Sequence, residues 1–126
     1  MKEEIDLNID KCIDLESCIN WIMVLHESQP EFIELLKHSP EGYFIANTHN
    51  NFGRWLRNTL ELWHDGPPVK YFNDLGIYHA DDMSGLIMSS LYRKYHNKEL
   101  DVEGEVKKYR DYWDKTNPKI NQGIKE

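Results

Sequence analysis

The chain has 126 residues, 40% of them hydrophobic and 12% aromatic, with a formal net charge of −7. That length fits one domain with a single core, and the composition excludes a disordered chain. The acidic balance argues against direct binding of nucleic acid, which needs a basic footprint.

The charge is unevenly placed. Residues 1–41 carry ten acidic side chains against three lysines, so the whole excess lies in the first third. The N-terminal "MKEEIDLNID" lacks the apolar stretch of a secretory signal. No run approaches the roughly 18 apolar residues of a membrane span. Cys12 and Cys18 form neither a CxxC nor a Cys/His finger spacing. Together these features read as a cytoplasmic chain in a reducing compartment, with residues 1–11 frayed.

In "DLESCINWIMVLHES", Leu15, Cys18, Ile19, Ile22, Leu25 and His26 recur at helical spacing, and Asp14 is placed to cap. Cys12, just ahead of that helix, is open to solvent on this reading. "SQPEFIELLKHS" follows with Ser28 or Gln29 as cap and Pro30 in the first turn. "SPEGYFIANTH" repeats a Ser-Pro-Glu opening and predicts a short helix, weakened by Gly42.

The stretch "THNNFGRWLRNTLELWHDGPP" predicts one long amphipathic helix. Asn47, Thr48 or Asn50 caps it, Gly66 ends it, and Phe52, Trp55, Leu56, Leu60 and Trp63 form its buried stripe. Arg54, Arg57, Asn58 and Glu61 then share the outer face, with Arg57 and Glu61 as an i,i+4 pair. "VKYFNDLGI" is a short helix closed by Gly76. "HADDMSGLIMSSLYRKYHNK" opens on an acidic cap at Asp81 or Asp82 and carries the stripe Met83, Ile87, Leu91. Its small residues Ser84, Gly85, Ser89 and Ser90 allow a neighbouring backbone to approach closely. "DVEGEVKKYRDYWDK" places Val102, Val106, Tyr109 and Trp113 on one face, and residues 117–126 read as frayed. No alternating strand pattern occurs. The chain is therefore predicted to be all-α, a single compact irregular bundle of five to seven helices.

Chemistry is harder to find. None of the six histidines belongs to an H-E-x-x-H or H-x-x-x-H pattern, so no metal and no cofactor are expected. His79 with Asp81 and Asp82 is explained as well by a helix start as by ligation. Cys18 sits on an inner helix face, where a thiol is a small hydrophobe. Arg54 and Arg57, one turn apart, could hold a phosphate or carboxylate with help from His49. Alternatively, Arg57 pairs with Asp81 or Asp82 and ties two helices together.

The segments "FGRWLRNTLELW", "YFNDLGIYHADDMSGLI" and "YRDYW" together resemble a small uncharacterised domain of bacteria and their phages. The resemblance spans Phe52 to Trp113. It implies that Arg57, Asn58, Trp63, His79, Asp81, Asp82, Met83 and Ser84 matter, and it implies no activity.

Two functions are compatible with these features. The first is a small acidic interaction domain, an inhibitor or immunity-type binder of the phage anti-defence or toxin-neutralising class. Glu27, Glu31 and Glu34 would then face a protein partner with a basic groove, and homodimerisation through apolar stripes is a variant of this reading. The second is a small-molecule or phosphate binder, or an enzyme, with a pocket built from His49, Arg54, Arg57, Asn58, His79, Asp81 and Asp82. No catalytic residue is assigned in either.

Overall fold

The computed structural model describes residues 8–123. Seven α-helices occur among them: α1 (Leu15–His26), α2 (Pro30–His38), α3 (Glu41–His49), α4 (Phe52–Thr59), α5 (Val69–Leu75), α6 (Ala80–Tyr95) and α7 (Val102–Thr116). The described residues contain no strand, and the helices pack as an irregular all-α bundle. The N-terminus of α1 follows its sequence signal. Asp14 accepts the Ser17 N–H at 2.8 Å, and the Ser17 hydroxyl accepts the Asp14 N–H at 3.0 Å, closing a capping box.

Helix α6 is the axis. Met83, Leu86, Ile87, Met88 and Leu91 are each at most 1% exposed, and Ser84, Ser89 and Ser90 are buried as well. A helix enclosed on nearly all sides is the centre of a bundle. Helices α1, α2, α3, α4 and α7 all pack against it. Cys18, Ile19 and Ile22 of α1, Leu36 of α2, Phe44 of α3 and Leu56 of α4 complete the core. Each fully buried Leu, Ile or Phe contributes about 1.5–3 kcal/mol.

The lower half of α6 is also tied by polar groups. The Tyr92 hydroxyl donates to Ser39 O at 2.6 Å, Arg93 Nε to Glu41 Oε1 at 2.8 Å, and His96 Nε2 to Leu36 O at 2.8 Å. The small residues of α6 receive side chains rather than a backbone. Ser89 donates to Glu105 of α7, and a Cβ at Gly85 would lie 2.8 Å from the Tyr109 hydroxyl.

The long helix expected over residues 48–65 is two helices and a turn. Thr48 belongs to the end of α3, and Asn51, not Asn47, Thr48 or Asn50, is the N-cap of α4. Helix α4 then stops at Thr59, well before Gly66. Leu62 N–H bonds to Arg57 O at 2.9 Å and Glu61 N–H to Asn58 O at 3.3 Å, the two bonds of a Schellman closure. The residue that turns left-handed is Glu61, at φ 53°.

The reason lies in burial. Leu60 and Leu62 are 0% and 3% exposed, and a continuous helix would send them about 200° apart. The chain must reverse between them, which throws Glu61 into solvent and removes the Arg57–Glu61 pair. Trp63 leaves the core for the same reason and is 47% exposed. Trp55 is also a surface residue, 39% exposed.

The ends differ from expectation where they are described. Cys12 is fully buried, behind a 3-10 turn at Ile9–Lys11. A second 3-10 turn at Ile120–Gln122 is fastened to α7 by the Asn121 amide, which donates to Arg110 O at 2.8 Å and Asp114 Oδ1 at 2.7 Å. Residues 1–7 and 124–126, the rest of the ends read as frayed, lie outside the described residues.

Gly66 is fixed by the same turn, since a Cβ there would sit 1.8 Å from Leu60 O. Gly66→Ala is expected to cost at least about 2 kcal/mol, whereas Glu61→Gly relieves the left-handed residue and gains roughly 0.5–1 kcal/mol. Urea titrations of the two variants check both signs.

Candidate functional site

Arg57 is the most enclosed of the charged residues singled out by sequence. Its side chain is 7% exposed, against 41% for Asp81. Nη1 donates to Ser84 Oγ at 3.0 Å, Nη2 donates to His49 O at 3.0 Å, and Nε lies 3.4 Å from Asp81 Oδ1. Ser84 passes the connection on, donating to Asp81 O at 3.0 Å. One guanidinium therefore joins the end of α3, the body of α4 and the first turn of α6. Its planar fork serves three acceptors in three directions, which a lysine could not do. Gly53 clears its path, because a Cβ there would lie 3.0 Å from Nη1 and 3.1 Å from Thr48 O. The outer face drawn through Arg54, Arg57 and Asn58 is thereby corrected: Arg57 turns inward, and Arg54 and Asn58 stay exposed. His49 meets Arg57 through its carbonyl, not its ring.

The start of α6 is capped by His79, not by Asp81 or Asp82. His79 Nδ1 accepts the Asp81 N–H at 3.1 Å, which places the ring proton on Nε2. The ring stacks on Trp113 at 5.1 Å and meets Trp63 edge-on at 5.3 Å. Asp82 points the other way and accepts from Trp113 Nε1 at 2.7 Å. Burial raises the pKa of Asp82 above the usual carboxylate range, partly offset by the Trp113 bond. Burial likewise raises that of Glu105, which Ser89 and Tyr109 both bond. The α6–α7 seam thus holds two carboxylates, with the Tyr109 hydroxyl donating to Glu105 at 2.9 Å.

A cavity of about 320 Å³ adjoins His79. The turn after α4 supplies Trp63 and His64, α5 supplies Asn73, and Tyr78, His79 and Met83 come from the approach to α6 and its first turn. Of these residues sequence reasoning picked out Trp63, His79 and Met83. It missed His64, which follows the reversal at Glu61, and Asn73 and Tyr78, which α5 and the loop after it supply.

A second surface lies across α1 and α4. Trp55 stacks on Trp21 at 5.6 Å and 7°. A shallow groove beside it is lined by Leu25, His26, Gln29 and Phe52. Val24, on the outer side of α1, is 42% exposed. Glu27, at the end of α1, and Glu31, in the first turn of α2, are exposed nearby in the chain. Glu34 is exposed too and lies 3.3 Å from His38.

The two cysteines are buried together. The bond with Cys12, then burial, holds the Cys18 thiol far above the ordinary cysteine range, where it is no nucleophile. Among the described residues no group of three His, Cys, Asp or Glu is placed to hold a metal ion. No helix among them is long and apolar enough to cross a membrane.

These features define an all-α module whose sequence-marked arginine is spent internally and whose open features include a cavity beside His79 and an aromatic face at Trp55. The chain belongs to the family DUF6794, a domain of unknown function, whose model matches residues 13–95. That span takes in α1 to α6 and stops before α7. No curated protein and no solved structure matches the chain.

Two predictions follow from the bonds just described. Arg57→Ala leaves the His49 carbonyl without the Arg57 donor, while Ser84 keeps its bond to Asp81 O, so it should cost about 1–3 kcal/mol in equilibrium unfolding; a loss under about 0.5 kcal/mol would contradict the tie. Asp82 and Glu105 keep their protons to higher pH when folded than when unfolded. Their contribution to stability is therefore full at low pH and declines as pH rises from about 4 through their raised values. The stability difference between the native chain and the Asp82→Asn, Glu105→Gln variant should shift against the native chain as pH rises above the ordinary carboxylate range. A difference independent of pH would contradict it.

Proposed function

We propose that this protein is an interaction module whose α1–α4 face binds a basic protein surface. The observation that carries this reading is the exposed Trp55, stacked on Trp21 of α1, the helix that also bears Val24 and ends at the exposed Glu27. Trp is enriched among residues that dominate binding energy. A Trp whose ring is already fixed by stacking loses little freedom on binding. Glu27 and Glu31 form no ion pair with a described residue, so their charges are available to an incoming cation. An arginine from the partner can stack over the indole, and Glu27 and Glu31 offer carboxylates to further cations.

An inhibitor or immunity-type role is the class of activity that fits this arrangement. Such a protein needs a rigid acidic face and no reacting group. The alternative of a phosphate site on Arg54 and Arg57 has less support, because the Arg57 donors are directed to Ser84, His49 and Asp81.

The test is capture of a binding partner on the immobilised chain at low salt, followed by variants. Glu27→Lys, Glu31→Lys and Glu34→Lys combined should abolish retention, and Trp55→Ala should weaken it at least tenfold. Lys107→Glu on α7 should leave it unchanged. Retention that survives both the triple reversal and Trp55→Ala would refute the assignment of this face.

A further inference from the structure

We infer that the cavity beside His79 is a second, separate site, one that binds a planar, uncharged nitrogen heteroaromatic of purine size. Trp63, Tyr78, His79 and Met83 give it flat and apolar walls, and His64 and Asn73 add polar groups. No Lys, Arg, Asp or Glu among the described residues lines it. A charged ligand would give up hydration there with no counter-charge to replace it. A neutral aromatic ring would not, and it gains stacking on the indole and phenol.

The polar groups fit the edge of such a ring. The side chains of His64, Asn73 and Tyr78 hydrogen-bond to no described residue. His79 spends Nδ1 on the Asp81 N–H and keeps Nε2–H as a donor. The described residues of the cavity therefore collect an amide, a phenol and two imidazoles, a mixture of donors and acceptors without a Lys, Arg, Asp or Glu among them. Purine edges present donors and acceptors in the same manner. Saturated or purely hydrocarbon ligands would leave these groups unmatched. At about 320 Å³ the cavity is near the lower end of ligand pockets, enough for a bicyclic ring and too small for a dinucleotide.

The site is also prepared by the fold. The reversal at Glu61 delivers Trp63, and His79 is held by its cap and by stacking on Trp113. Two of its walls thus stand in place before any ligand arrives, which lowers the cost of binding.

Adenine and hypoxanthine, which present different edge patterns, are the probes, followed by adenosine and adenosine monophosphate. Titration is read from ¹H–¹⁵N spectra of the full chain, at the Trp63 indole and Asn73 amide. The expected result is saturable shifts at both positions with at least one of the two bases. Trp63→Ala and Asn73→Ala should each weaken binding about tenfold or more. Both residues contact solvent, so both variants should stay folded, which their spectra would show directly. Trp55→Ala, on the other face, should leave base binding unchanged, which separates this site from the proposed protein interface. The monophosphate should bind no tighter than adenosine. The inference is overturned by absence of saturable shifts with either base, by binding indifferent to both variants, or by a monophosphate more than tenfold tighter than the base.

Discussion

The Arg57 guanidinium is the interaction on which the arrangement of the helices rests. It reaches from α4 to the end of α3 and the start of α6, and it bonds to both. A buried cation is costly unless its donors are matched. Here a carbonyl, a hydroxyl and a carboxylate match them, and Gly53 gives up its side chain to make room. The half-exposed Asp81 keeps the pair from being fully dehydrated, which moderates the penalty. The consequence for function is direct: a residue that looks like an anion ligand in the sequence is an internal tie.

Around that tie the molecule divides its labour. The centre of α6 is apolar and holds the core, while both its ends are fastened by polar side chains. The seam with α7 is different. No residue of α7 is fully buried, and the helix is held by Trp113 to Asp82, Glu105 to Ser89 and Arg110 to the Gly76 carbonyl at 2.8 Å. The family match also ends before α7. A helix attached through carboxylates with raised pKa values loses part of its attachment as pH rises through those values.

Much of the fold was legible because helical periodicity and capping chemistry are local. Asp14, Pro30 and Gly76 mark their helix ends as expected, and the all-α bundle follows from the spacing of apolar residues. The turn at Glu61 was not legible, because its usual signal is glycine or asparagine and this chain uses a glutamate. Only the joint burial of Leu60 and Leu62 demands the reversal, and burial is a tertiary fact. That one turn accounts for two differences: the exposure of Trp63 and the loss of the Arg57–Glu61 pair. The pairing of Arg57 with Asp81 was among the alternatives open from sequence, but the choice between an outward anion clasp and an inward tie depends on where the α4 face points. His79 as a cap was missed because Asp is the commoner capping residue and two stood beside it.

The assignment of Arg57 is tested most directly by the NMR signals of its own side chain. A guanidinium bonded on Nη1 and Nη2 inside the bundle should give separate Nη proton resonances, protected from solvent exchange and unmoved by inorganic phosphate. A single averaged, rapidly exchanging signal, or one that shifts on addition of phosphate, would contradict the account and return Arg57 to the surface as a ligand-binding residue.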